Sequence, residues 1–207
     1  MCALSCGPAE MECFQLLDAV AVPLAAPDID TDQILPARFM QKLRSDGFGQ
    51  YLFHDLRHNG DGTKSPGFVL DEPAYRGARI AVAERNFGCG SSREQAVYAL
   101  YDNGMRAVIA PSFGDIFFTN CFQNGMLPVV LPAALVGALL EQLRRQPGCH
   151  VVVDLAAQIV IGPDGTASGF VVDPFRKRLL LDGVDELDFT LGHGDRIAEF
   201  EKTHKIW

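Results

Sequence analysis

Hydrophobic and polar positions alternate along this chain with two periods, one suited to strands and one to helices. Residues 14–26 form an extended apolar segment, and residues 78–85 read as a β-strand. A helix is predicted at 91–103, where Glu94 to Tyr101 carry apolar side chains on more than one side, and Gly104 stops it. A strand at 106–110, a helix at 113–123, Gly125 and a strand at 126–131 continue the series. These are consecutive βαβαβ units, which demand a largely parallel sheet with helices packed against it. Further on, the pattern predicts a helix at 133–145, short strands near 149–154, 158–162 and 167–172, and amphipathic helices near 174–181 and 194–204. Gly162-Pro163-Asp164-Gly165 is a hairpin turn between two of those strands. The expected fold class is α/β, with a largely parallel central sheet flanked by helices and additional short strands.

Residues 37–43 form a short helix candidate after Pro36, and residues 44–77, rich in Gly, Asp, Asn and Pro, suggest an exposed excursion. No repeat, low-complexity tract or second core interrupts residues 11–207, which are expected to make a single domain. Residues 1–10 lack the charged start and apolar centre of a signal peptide and are expected to be a disordered extension.

Composition narrows the function. At 207 residues, 48% hydrophobic and 21% charged, the chain has the make-up of an ordinary globular protein. A formal charge of −8 without a dense Lys/Arg cluster argues against nucleic acid as a partner. No apolar run is long enough to span a membrane, so a cytoplasmic location is expected. The six cysteines contain no Cys-x-x-Cys pair, which leaves no sequence-local set of ligands for zinc or an iron–sulfur cluster.

The strongest chemical signal is Asn86-Phe87-Gly88-Cys89-Gly90-Ser91-Ser92-Arg93-Glu94, at the junction of a strand and a helix. In an α/β sheet ligands gather at the carboxyl ends of strands, where this segment falls. A helix N-terminus offers free N–H groups and a positive dipole end, and Arg93 adds a planar fork that matches a carboxylate. Ser91-Ser92-Arg93-Glu94 equally fits a capping box, in which Ser91 caps the helix and Glu94 reaches back. Cys89, between two glycines at the same helix start, has the setting that lowers a thiol pKa. Cys121, among Ile116, Phe117 and Phe122, reads as a small core residue. Alternation over 28–32 puts Asp28, Asp30 and Asp32 on one face, which requires solvation, hydrogen bonds or cations. His54 and His58 have metal-ligand spacing, but the surrounding residues do not fit a zinc-protease pattern.

Several ordered motifs carry a resemblance. They are Ala21-Val22-Pro23-Leu24, Asp28-Ile29-Asp30-Thr31-Asp32-Gln33-Ile34-Leu35-Pro36, Gly47-Phe48-Gly49, the 86–94 segment, Ala110-Pro111-Ser112-Phe113-Gly114-Asp115-Ile116-Phe117, residues 120–128 and Leu191-Gly192-His193. Together they make the chain resemble the small subunits of 3-isopropylmalate dehydratase, within the aconitase superfamily, from residue 11 to residue 207. The resemblance implies a swivelling β/β/α domain, inactive alone. It also implies a large-subunit partner that carries a four-iron, four-sulfur cluster, with no cofactor on this chain. The implied reaction interconverts 2-isopropylmalate and 3-isopropylmalate through an alkene diacid, in leucine biosynthesis. Ser91 would be the base, Ser92 and Arg93 would bind the small dicarboxylate substrate, Asp32 matches an acidic active-site position, and Arg38 is the nearest counterpart of a second substrate arginine. Phe39 and Met40 fall in the region resembling the specificity loop and would suit an isopropyl group. Gln95 stands where many relatives have His. Alternatives are a dehydratase of another malate such as citramalate or dimethylmalate, a Ser91 hydrolase using His193, and a binding module without chemistry.

Overall fold

Among the described residues seven strands join into one sheet: β1 (Leu16–Leu24), β2 (Ile80–Ala83), β3 (Ala107–Ala110), β4 (Leu127–Val130), β5 (His150–Asp154), β6 (Ile159–Ile161) and β7 (Ala167–Gly169). Their spatial order is β4-β3-β2-β1-β5-β6-β7. This computed structural model describes residues 11–204, so the expectation for residues 1–10 lies outside the described residues. β1 to β4 pair in parallel, with Ala21 opposite Ile80, Ile80 opposite Ala107 and Ala107 opposite Leu127. The run β1-β5-β6-β7 is antiparallel. The α/β class therefore holds, and the parallel half is the βαβαβ run read from the spacing. The three short later strands add an antiparallel run on the other edge of β1. Hairpins such as the one closed by Gly165 N–H to the Gly162 carbonyl at 2.9 Å need no crossover helix.

Side chains alternate across the four parallel strands and feed two apolar layers. Ala19, Ala21, Ile80, Val82, Ala107, Ile109, Leu127 and Val129 face one layer, while Val22, Leu24, Ala81, Ala83, Val108 and Ala110 face the other. Among the described residues eight α-helices surround the sheet: α1 (Thr31–Ile34), α2 (His54–Arg57), α3 (Glu94–Asp102), α4 (Asp115–Gln123), α5 (Ala133–Arg145), α6 (Pro174–Asp182), α7 (Glu186–Leu191) and α8 (Gly194–Thr203). α5 covers the first layer with Val136, Leu139, Leu140 and Leu143. α3 covers the second with Ala96, Val97, Ala99 and Leu100, joined there by Phe117 and Cys121 of α4.

Three sequence expectations change. The helix predicted at 37–43 closes only one 3-10 turn, Ala37–Phe39, because its other backbone bonds are single-turn contacts. The helix predicted from residue 91 starts at Glu94. The unpredicted α7 is capped by Asp185, whose carboxylate accepts from the N–H of Asp188.

Because β1, β2 and β3 run in parallel, their carboxyl ends open on one side of the sheet, and the loops that leave them meet there. Phe87 anchors the loop after β2, fully buried and edge-on to Phe117 with ring centres 5.4 Å apart. At the next residue φ is +72° and an added Cβ would come within 2.2 Å of the Phe117 ring, so only glycine fits. Gly88→Ala is expected to cost about 3 kcal/mol of stability, from strain and overpacking together. Gly90→Ala, with φ +91° but 3.5 Å to the nearest atom, should cost about 1 kcal/mol. Urea unfolding of the two variants checks this, and equal losses would contradict the Phe117 contact.

Candidate functional site

The 28–31 stretch after β1 and the 87–91 stretch after β2 are joined main chain to main chain. Gly88 N–H donates to the Ile29 carbonyl at 2.7 Å, and Thr31 N–H donates to the Cys89 carbonyl at 2.9 Å. The Thr31 hydroxyl adds a third tie, donating to the Ser91 carbonyl at 2.9 Å. Thr31 is the buried polar side chain of the described core, 2% exposed, so this bond satisfies a group that water does not reach. On the other flank Gly114 N–H donates to the Phe87 carbonyl at 2.9 Å, which binds the loop after β3 to the same platform.

On this platform Ser91 and Ser92 are exposed. They precede α3 rather than cap it: the N-cap is Arg93, and no side chain caps the helix. Glu94 accepts from the Asn124 side chain at 2.9 Å instead of reaching back. The capping-box reading of 91–94 is thus corrected. A capping box forms instead at α1, where Asp30 accepts from Gln33 N–H at 2.7 Å and the Gln33 side chain accepts from Asp30 N–H at 3.1 Å. Among the described residues, neither serine hydroxyl has a hydrogen-bond partner, and none accepts from the N–H groups of Ser91, Ser92, Glu94 or Gln95. Among the described residues the Ser91 hydroxyl is thus exposed and uncommitted, and the N–H groups of its sequence neighbours are unpaired.

The three aspartates do not share one face. Asp28, in a left-handed turn at φ 57°, accepts from Arg85 at 3.0 Å and from the Asn86 side chain at 2.9 Å. Asp30 caps α1. Asp32 forms an ion pair with Arg93 Nη1 and accepts from Ala37 N–H at 2.9 Å. The Arg93 guanidinium, followed by that N–H, holds the Asp32 carboxyl below its ordinary pKa. Arg93 is the better buried partner, its side chain 15% exposed against 59% for Asp32. The remaining edge of the Arg93 fork, Nε with Nη2, has no partner among the described residues. That edge offers two parallel donors, the number a carboxylate takes.

Arg38 is committed elsewhere. Its Nη1 donates to Asp55 at 2.8 Å, its Nη2 is ion-paired with the other Asp55 oxygen, and Nη2 also lies 3.2 Å from His54 Nδ1. Each two-donor edge of Arg38 therefore has at least one donor engaged within the chain. The pair sits near Asp32, since the charges of both Asp32 and Asp55 reinforce the protonated Arg38. Phe39 does not present a free ring face on both sides, because it stacks on Tyr51 at 4.3 Å. Thr31 and Asp55 are the participants that the sequence reading missed.

Other candidates resolve simply. Burial, then the nearby Asp30 and Asp28 carboxylates, push the Cys89 thiol upward, the reverse of the shift expected from a helix start, since α3 begins five residues later. Burial alone pushes Cys121 well up, as suits a core residue. The His54 and His58 rings stack at 4.5 Å, but no three His, Cys, Asp or Glu side chains among the described residues could hold a metal ion. His193 Nδ1 faces the Phe189 carbonyl at 2.8 Å and its ring packs on Phe189, so it is committed to α7. Among the described residues no helix is long and apolar enough to cross a membrane.

Comparison with known proteins finds matches over most of the chain. The model for the aconitase C-terminal domain family matches residues 11–134, and a second, described as LeuD_N, matches residues 138–174. The chain is 51% identical to the 3-isopropylmalate dehydratase small subunit of Paramagnetospirillum magneticum, over 94% of this chain and 97% of that one. It is 49% identical to the same subunit of Leptospira interrogans, with 94% and 96% covered. A solved 3-isopropylmalate dehydratase structure from Methanocaldococcus jannaschii shares the fold, with a TM-score of 0.65 at 22% identity, covering 89% of this chain and 98% of the other.

The Arg38 and Asp55 pair yields a pH prediction. Hydrogen bonding from Arg38 lowers Asp55 from 3.8 to about 2. A depressed carboxyl stabilises the fold above its unfolded pKa and loses that contribution as pH falls, here between about 4 and about 2. Both side chains are half exposed, so the contribution stays below about 1 kcal/mol. Carboxyl-carbon NMR should give Asp55 a midpoint near 2, and a midpoint near 4 would contradict the pairing.

Proposed function

The chain belongs to the family of 3-isopropylmalate dehydratase small subunits, and we propose that its Ser91 to Arg93 loop is the proton-transfer and carboxylate-binding half of a site completed by a large subunit. The family's reaction is that of a hydro-lyase. It isomerises 2-isopropylmalate and 3-isopropylmalate by removing water and returning it to the neighbouring carbon. The observation that carries the reading is the exposed Ser91 hydroxyl, uncommitted to helix capping and followed along the chain by unpaired N–H groups.

The dehydration half breaks one C–H and one C–O bond, leaving an alkene and water, and the rehydration half forms one C–H and one C–O bond with the positions of H and OH exchanged. Ser91 takes the carbon-bound proton beside a substrate carboxylate and later gives it back. A serine hydroxyl is a poor base because its alkoxide is costly in water. The free N–H groups of the 91–95 stretch and the nearby Arg93 charge lower that cost where the oxygen develops charge. Arg93 receives a substrate carboxylate on its Nε and Nη2 edge, while Asp32 and the Leu35 carbonyl, 3.4 Å from Nη1, hold the opposite side of the guanidinium. Ser92 adds a hydroxyl donor to the same carboxylate. Arg38 is the second cationic group beside the site.

Taking the hydroxyl requires a Lewis acid, which the described donor groups of this chain do not fit. We assign it to a four-iron, four-sulfur cluster on the large subunit, in a cytoplasmic enzyme of leucine biosynthesis. The relatives described above are isopropylmalate dehydratase subunits, which favours that substrate over citramalate or dimethylmalate. A Ser91 hydrolase is disfavoured because no histidine among the described residues is hydrogen-bonded to the Ser91 hydroxyl, His193 Nδ1 facing the Phe189 carbonyl instead.

The test is kinetic, on the subunit reconstituted with its large-subunit partner and followed by alkene absorbance. Ser91→Ala is expected to lower kcat by about 10²- to 10⁴-fold while the complex still assembles. Full activity in that variant would reduce the chain to a binding module. Arg93→Lys replaces a fork with a point charge and should raise KM by roughly tenfold or more; unchanged kinetics would remove Arg93 from the carboxylate site.

A further inference from the structure

We infer that Asp55 is a positioning residue for the reaction, holding Arg38 and with it the 36–40 segment against the site from the one-turn helix α2. The inference rests on the reading above, in which Arg38 and the neighbouring residues border the substrate. Nothing in the sequence motifs marks Asp55, which lies 17 residues from Arg38 in the Gly- and Asn-rich excursion between β1 and β2.

The 36–40 segment has little structure of its own. It closes a single 3-10 turn with no side-chain cap, and Ala37, Arg38 and Phe39 all lack full burial. Its order comes from two directions. On the site side, Ala37 N–H donates to Asp32 at 2.9 Å, and Asp32 is paired with Arg93. On the far side, α2 and the turn before it grip the next two residues. Asp55 takes both terminal nitrogens of Arg38, and Phe39 stacks on Tyr51 and lies 4.8 Å from the His54 ring. Arg38 folds back over Phe39, its guanidinium carbon 4.6 Å from the ring centre, so the two grips reinforce each other.

A two-point bond from a carboxylate fixes both the position and the plane of a guanidinium, which a single bond does not. Asp55 therefore decides where the Arg38 charge sits relative to Asp32 and Arg93. The line Asp55 to Arg38 to 36–40 to Asp32 to Arg93 crosses the site in a continuous chain of contacts, so an error at Asp55 reaches the substrate-binding arginine. Half-exposed ion pairs add little to folding stability, and removing this one leaves the fold intact. Its effect is on binding geometry.

The experiment uses the reconstituted two-subunit enzyme carrying Asp55→Asn, Asp55→Glu, Arg38→Ala or the double substitution Asp55→Asn with Arg38→Ala, with KM and kcat measured separately. Asp55→Asn is expected to raise KM by roughly 10- to 100-fold with kcat changed less, Asp55→Glu to recover part of the loss, and the thermal midpoint of the free subunit to stay within a few degrees. In the double variant the two losses should not multiply, because Asp55 acts through Arg38. An impaired Arg38→Ala enzyme beside an unaffected Asp55→Asn enzyme overturns the positioning role while leaving Arg38 in the site. Unchanged kinetics for Arg38→Ala removes Arg38 from the site and the inference with it. A fall in KM for Asp55→Asn also overturns it, since Asp55 would then compete with substrate for Arg38, and fully multiplicative losses would show Asp55 acting by another route.

Discussion

The arrangement depends on backbone pairing between two loops that leave adjacent parallel strands. β1 and β2 end side by side, so residues 28–31 and 87–91 emerge within hydrogen-bonding reach although some 60 residues separate them. The Gly88 to Ile29, Thr31 to Cys89 and Thr31 hydroxyl to Ser91 bonds fix the two loops as one platform. Serine exposure, the Arg93 to Asp32 pair and the capping of α1 by Asp30 all follow from that register. A slip would turn Ser91 away from the open side and separate Arg93 from Asp32.

Electrostatics at the platform is local. The chain is acidic overall, with a formal charge of −8, and cannot draw a dianion by its net field. Each arginine near the site is also neutralised in part, Arg93 by Asp32 and Arg38 by Asp55. In the proposed site, attraction for a dicarboxylate comes from backbone and side-chain donors: the unpaired N–H groups of the 91–95 stretch and the unused edge of Arg93. Such donors cost no rearrangement when charge develops in the transition state. The exposure of the platform fits a subunit whose active surface is completed by another chain.

Much of the fold was legible because the parallel half repeats a simple unit. Apolar four-residue strands, helices and glycine stops recur from 78 to 131, and the strands and helices appear there within a few residues of the predicted bounds. The long excursion was not legible, because its 3-10 turns and the one-turn α2 are held by tertiary contacts such as Phe48 N–H to Asp102 at 2.8 Å, not by periodicity. At the site, Ser91, Ser92, Arg93 and Asp32 were visible as residue types in an informative pattern, and the structure brings them onto one platform. Local rules misled in two places. Ser91-x-x-Glu94 has the capping spacing, but Asn124 takes Glu94 and the helix begins after Arg93. Cys89 has a local setting that suggests a lowered pKa, yet burial and two nearby carboxylates push it up. Asp55 left no local trace, since its meaning lies in Arg38, which only folding brings close.

The central claim, that the two loops act as one platform, is tested most directly by Thr31→Val in the reconstituted enzyme. This change keeps the shape of the buried side chain and deletes the bond to the Ser91 carbonyl. The account predicts a kcat lowered by roughly 10- to 100-fold, with about 1 to 2 kcal/mol lost in stability. A folded, assembled variant that turns over at the wild-type rate would contradict it.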